Sequence, residues 1–154
     1  MGNRAVITSS LDLGTNTKEL GGRKDKIGIY LHWNGGRDSV QAFLTYCKLK
    51  EYRTPTEDES YAFARLAQVI GNFFGGSTSV GIGVLHYLDC DNYDNGVYIV
   101  GDNWEIVGRE YFDGEEQNSY ELKESLITID KAQPQGEQLG EEKIESFLKG
   151  QNNV

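Results

Sequence analysis

The stretch from Lys26 to Leu49 reads as a strand, a glycine turn and a helix in direct succession, and the rest of the chain must pack around that unit. Ile27, Ile29, Leu31 and Trp33 alternate with Gly28, Tyr30 and His32, the period of a strand with one buried face. Asn34-Gly35-Gly36 interrupts it, because glycine accepts the backbone angles of a sharp turn. Asp38 and Gln41 have the spacing of a capping box. Val40, Phe43, Leu44 and Cys47 then fall on one helical stripe.

A first short strand is expected at Arg4–Thr8 and a polar, glycine-bearing loop at 9–25. After the break at Arg53-Thr54-Pro55-Thr56, Asp58 or Ser60 can cap a helix over about 59–74. That helix carries apolar residues on two sides, Ala62, Leu66, Val69, Ile70 and Phe73 on one and Phe63, Ala67 and Phe74 on the other, so it belongs in the core. Ser79–Leu88 fits either a strand or a short buried helix, and a cap from Ser77 or Thr78 favours the helix. Asp94-Asn95-Gly96 marks a turn; Val97–Val100 and Trp104–Val107, joined by Gly101-Asp102-Asn103, form a hairpin. A further helix is expected over 117–131. The expected fold is therefore α+β: a small, mainly antiparallel sheet with a β-hairpin, two core helices and a third near the C-terminus. Residues 1–133 form the domain, and 134–154 an acidic tail with room for a short helix through Ile144, Phe147 and Leu148.

Charge is unevenly spread. Residues 1–86 hold ten Lys or Arg against eight Asp or Glu, whereas residues 87–154 hold five against sixteen, within a net charge of −9. Such a C-terminal half is unsuited to nucleic-acid backbones, whose binding depends on neutralising phosphates; a basic protein partner suits it better. No apolar run is long enough to span a membrane, no signal-peptide core is present, and two distant cysteines make no disulfide framework. These features lead to the expectation of a cytoplasmic protein.

Several motifs carry candidate chemistry. Asn34-Gly35-Gly36-Arg37-Asp38-Ser39 resembles the SGGxDS loop of the PP-loop ATP pyrophosphatase family, in which N–H groups at a helix N-terminus hold phosphate. The resemblance covers about a dozen residues, with Asn34 in place of the first Ser and Arg37 where Lys is common, and the hairpin departs from that family's parallel sheet. A nucleotide would then use Arg37 on phosphate, with Trp33 or Tyr residues stacking on the base. His32, Cys47, His86 and Cys90 supply the elements of a Cys2His2 zinc site, although Cys47 lies on an apolar stripe and no paired CxxC or HxxxH occurs. Gly71–Thr78 mimics the spacing of a Walker A loop but has Ser77 at the lysine position. Asp89, Asp91, Asp94 and Asp102 cluster around Gly96, yet Tyr93 occupies a ligand position of an EF-hand loop. No GxSxG elbow or nucleophile–base–acid set is present. No catalytic residues and no cofactor are expected.

The segments MGNRAVI, GIYLHWNGGRDSV, VIGNFFGG, LDCDNYDNGVYIV and WEIVGREYF resemble a group of short acidic proteins from prophages and mobile elements of Gram-positive bacteria. The resemblance implies a genomic setting, in which such proteins often antagonise host defence, as inhibitors of CRISPR nucleases or as sponges for nucleotide signals. The leading expectation is a non-enzymatic inhibitor in the host cytoplasm. It engages a basic surface of a host defence protein, such as a nuclease, through Asp89, Asp91, Asp94, Asp102, Glu105, Arg109 and Glu110. The alternative is a nucleotide-sequestering protein using Trp33 to Ser39.

Overall fold

The computed structural model describes residues 3–10, 26–76 and 78–152; most of the loop expected at 9–25, and Ser77, lie outside them. Five strands form one sheet in the order β3-β2-β1-β4-β5. They are β1 (Ala5–Ser9), β2 (Ile27–Leu31), β3 (Val80–Val84), β4 (Val97–Val100) and β5 (Ile106–Glu110). Every pairing is antiparallel except β1 with β4. The helices are α1 (Arg37–Leu49), α2 (Glu59–Phe74), α3 (Leu122–Ala132) and α4 (Glu141–Asn152). The class is α+β as expected, with four helices among the described residues rather than three.

Alternation explains the layering. Ala5, Ile7, Ile29, Leu31, Tyr98 and Val100 join one buried cluster with Val40, Phe43, Leu44, Phe63, Leu66, Ile70, Leu126, Ile129 and Ile144 from the helices. The intervening strand residues face the other side, where the connection from β3 to β4 covers the sheet. Gly28 sits beneath it: a Cβ there would come within 2.6 Å of Leu88 Cδ1. Asp58 caps α2 by accepting the Tyr61 N–H at 3.2 Å, and Gly75, at φ 64°, ends it. α4 docks through Ile144, and Lys123 pairs with Glu145 at 2.9 Å.

Four local expectations need correction. Ser79–Leu88 forms β3 and then a single 3-10 turn at Leu85–Tyr87, because Val80, Ile82 and Val84 alternate with two glycines, a strand period in residues poor for helix. The second hairpin strand begins at Ile106, since Trp104 turns at φ 56° and buries its indole, which donates to Tyr52 C=O at 3.1 Å. α3 starts at Leu122 because residues 118–120 are tied to α1 instead. The Asp38–Gln41 capping box does not form. Gly36 is the N-cap of α1, and it makes no side-chain cap.

Candidate functional site: an acidic groove flanked by tyrosines

The loop entering β4 is built around one buried side chain. Asn92, with no exposed surface, donates to Asp89 C=O at 2.9 Å and Gly96 C=O at 3.2 Å, and accepts from the N–H groups of Asp94 and Gly96. An amide can do all of this at once, having two donors and two acceptor lone pairs. The loop is also clamped to the start of β1. Asp94 accepts from Arg4 N–H at 3.0 Å and Arg4 Nε at 2.8 Å, while Asn95 donates to Asn3 Oδ1 and Arg4 C=O. Burial works to raise the Asp94 pKa, but the bonds from Arg4 outweigh it and hold the carboxyl below its usual range. Gly96, at φ 66°, leaves no room for a Cβ, which would collide with the carbonyl oxygens of Glu110 and Tyr111.

Across this loop stands the end of β5. The Arg109 guanidinium lies between the rings of Tyr98 and Phe112, 4.0 and 3.8 Å from their centroids, a favourable cation–π arrangement. It also donates to Asn95 C=O at 2.7 Å and pairs with Glu116. Arg109 therefore acts as a clasp that holds residues 111–116 against the sheet.

Between these two segments runs a groove of about 540 Å³. Asp91, Asp113 and Glu115 line it as exposed carboxylates, with Asp94 at its base. Tyr93 and Tyr111 stand on its walls, 89% and 59% exposed. Both have positive φ, 63° and 56°, a conformation unfavourable for a bulky residue. Tyr93 thus holds strained backbone while burying little of its side chain, and Tyr111 does so while leaving more than half of its own exposed.

The expected partner residues divide. Asp91 and Asp94 belong to the groove. Asp89 and Glu110 lie beside it around Cys90, whose thiol pKa is raised by burial and then by these two acids. Asp102 and Glu105 sit at the opposite end of the hairpin. Nothing local in the sequence singles out Asp113 and Glu115, although Asp113-Gly114 is a turn signal that brings a chain end back toward an earlier loop.

The Asn34–Ser39 turn serves the fold. Gly35 donates to Asn3 C=O at 2.8 Å and its own C=O accepts the Tyr98 hydroxyl at 2.7 Å. The α1 N-terminus is filled from within the chain: Asp38 N–H donates to Asn118 Oδ1 at 3.1 Å and Ser39 N–H to Asp38 Oδ1 at 2.7 Å. The second Asp38 oxygen accepts from Ser119 and Tyr120 at 2.5 and 2.7 Å. The α1 N–H groups so engaged are those that a phosphate would need. Arg37 is half-buried, and Trp33 packs edge-on to His32 at 4.9 Å. A cavity of about 320 Å³ opens beside the turn between Phe43, Phe73 and Tyr120, with Asn34, Ser39 and Glu124 but no basic side chain in its lining.

The four His and Cys residues do not converge. Cys47 is wholly buried, which pushes its thiol pKa up. Cys90 contacts Leu85 C=O at 3.5 Å, His32 bonds the Tyr30 hydroxyl at 3.1 Å, and the His86 ring lies tilted against that of Tyr87 at 4.3 Å. Among the described residues no three or more His, Cys, Asp or Glu side chains are grouped to hold a metal ion, and no helix is long and apolar enough to cross a membrane. The geometry is that of an α+β scaffold presenting an acidic, aromatic-walled groove. No known protein family, curated protein or solved structure matches the chain.

Proposed function

We propose that this protein is a non-enzymatic binding protein whose acidic groove takes a basic segment of a protein partner, a host nuclease or other defence effector in the prophage setting. The observation that carries this reading is the pairing of exposed carboxylates with two strained, exposed tyrosines in one groove. Asp91, Asp113 and Glu115 offer charge to Lys or Arg side chains, and aromatic faces hold guanidinium groups by cation–π attraction. Tyrosine is also among the residues that most often anchor interfaces. Asp94 contributes by position, since its carboxylate is already committed to Arg4.

The test compares two triple variants of equal charge change, titrated against a fluorescent arginine-rich peptide by anisotropy and assayed for inhibition of a basic nuclease of the host. Asp91→Lys/Asp113→Lys/Glu115→Lys is expected to weaken peptide binding at least about tenfold and to abolish inhibition. Glu124→Lys/Glu141→Lys/Glu142→Lys, remote from the groove, is expected to weaken it far less. Binding should also fall as salt rises, because exposed charges are screened. Equal losses in the two variants would mean that net charge, and not this groove, attracts the peptide, and would overturn the proposal.

A further inference from the structure

β3 is an outer strand of the sheet, bonded to β2 on one side only among the described residues. Its flanking bonds show which way its backbone groups point. His32 N–H donates to Ser79 C=O and Leu85 N–H to Lys26 C=O, with Tyr30 opposite Gly81 and Gly28 opposite Gly83 in the register between them. Hydrogen-bonded pairs alternate along an antiparallel ladder. Gly81 and Gly83 therefore face β2, and the N–H and C=O groups of Val80, Ile82 and Val84 point outward.

Natural sheets usually guard such an edge with charge, proline or a bulge. From Thr78 to Leu85 the sequence has no charge and no proline, and the register with β2 is unbroken. Ile82 is 56% exposed. The two glycines are not required by the chain's own fold. Neither has positive φ, and an added Cβ would meet only Tyr30 at 3.8 Å or Leu88 at 3.9 Å, ordinary contacts. Glycine inside a strand sacrifices packing, and it often marks the close approach of another backbone. The strand Val80-Gly81-Ile82-Gly83-Val84 also reads the same in both directions.

We propose that β3 is a self-association edge, along which two copies of this chain pair antiparallel about a two-fold axis at Ile82. A two-fold interface requires a self-complementary surface, and a palindromic strand provides one. Ile82 then faces its own counterpart and Val80 faces Val84 of the second copy, so every outward N–H and C=O of these three residues finds a partner. Gly81 faces Gly83 of the second copy in the non-bonded pairs, where strands approach most closely. Charge selects the same edge. Two chains of net charge −9 that met along β5 would bring the Glu110 carboxylate of each copy to the seam, whereas β3 brings no carboxylate of its own. The pairing is short compared with the ~1,200 Å² or more of a stable interface, so the dimer dissociates on dilution. This inference does not depend on the acidic groove.

The test is sedimentation velocity of the full chain across concentrations up to about 0.5 mM, with two variants. The parent protein is expected to shift from monomer to dimer, and Ile82→Lys to stay monomeric with an unchanged far-UV spectrum. Ile82→Cys in a Cys90→Ser background is expected to form a disulfide-linked dimer on mild oxidation, because Cα atoms of a hydrogen-bonded pair lie about 5.5 Å apart, within disulfide range. Three results would each overturn it: a parent that stays monomeric throughout, a dimer that survives Ile82→Lys, or an Ile82→Cys variant that cross-links no more than Cys90→Ser alone. If Ile82→Lys fails to fold, the disulfide experiment decides alone.

Discussion

Replacing Tyr93 by glycine tests whether that tyrosine serves binding or folding. Tyr93 has φ 63° and is 89% exposed. Left-handed backbone costs a residue with a Cβ roughly 1–2 kcal/mol, and glycine escapes that cost. Against this, glycine loses about 0.5–1 kcal/mol more conformational entropy on folding. The ring contributes little, since about a tenth of a side chain that buries ~200 Å² is worth only about 0.5 kcal/mol. The three effects nearly cancel, so Tyr93→Gly should leave stability within about 0.5 kcal/mol of the parent, where a typical substitution destabilises by about 1. Tyr111 provides the contrast. Its φ is 56°, but it is only 59% exposed, so Tyr111→Gly forfeits about 2 kcal/mol of burial and is destabilising by about 1–2 kcal/mol net. Urea unfolding measures both, and peptide anisotropy on the same samples measures binding. Tyr93→Gly should bind the basic peptide several-fold more weakly while folding as well as the parent. A Tyr93→Gly protein destabilised by more than about 1.5 kcal/mol, or one that binds undiminished, would refute the reasoning.

Two further predictions concern the scaffold. The Asp130 carboxylate, 4% exposed, accepts from the Tyr46 hydroxyl at 2.6 Å and from the N–H groups of Leu139 and Gly140 at 2.7 and 2.9 Å; it ties α1 and the start of α4 to α3. Asp130→Ala should cost about 3–5 kcal/mol, and Tyr46→Phe about 1–3; additive losses in the double variant would show that the hydroxyl and carboxylate are not coupled. The Asp94 carboxyl titrates below its ordinary value when folded, so its contribution is present above the unfolded pKa of ~3.9 and disappears as pH falls through the folded value. Asp94→Asn should accordingly show a shallower loss of stability between about pH 5 and 2 than the parent in acid titrations of urea midpoint. An identical slope would remove Asp94 from the acid-labile groups.

Much of the scaffold is readable from neighbouring residues. The span of α2 and its Asp58 cap follow from an apolar stripe and a residue three positions before the N–H it accepts. β2, the Asn34–Gly36 break and α1 follow from a period of two giving way to a period of 3.6. The errors arise where a distant partner decides. Asp38 has the spacing of a local cap, yet one of its oxygens bonds Ser119 and Tyr120, and that contact also delays α3. Trp104 has the residue type of a strand, but the core beneath Tyr52 holds its indole and bends the backbone.

The candidate site divides in the same way. Its acidity is a property of composition, visible in the excess of Asp and Glu after residue 86. Which acids share a surface is not, because Asp91 and Glu115 are brought together by the Arg109 clasp and the Asn92 pin. The setting of Arg109 is decided in the same way: its guanidinium is held against the rings of Tyr98 and Phe112, which lie eleven and three positions away. The periods of the strands and helices, the turn positions and the sign of the charge can be read along the chain, since they depend on residues within a few positions of one another. Tertiary structure alone decided the sheet order, the filling of the α1 N-terminus and the walls of the groove, because each rests on contacts between residues far apart in the chain, which no local pattern encodes.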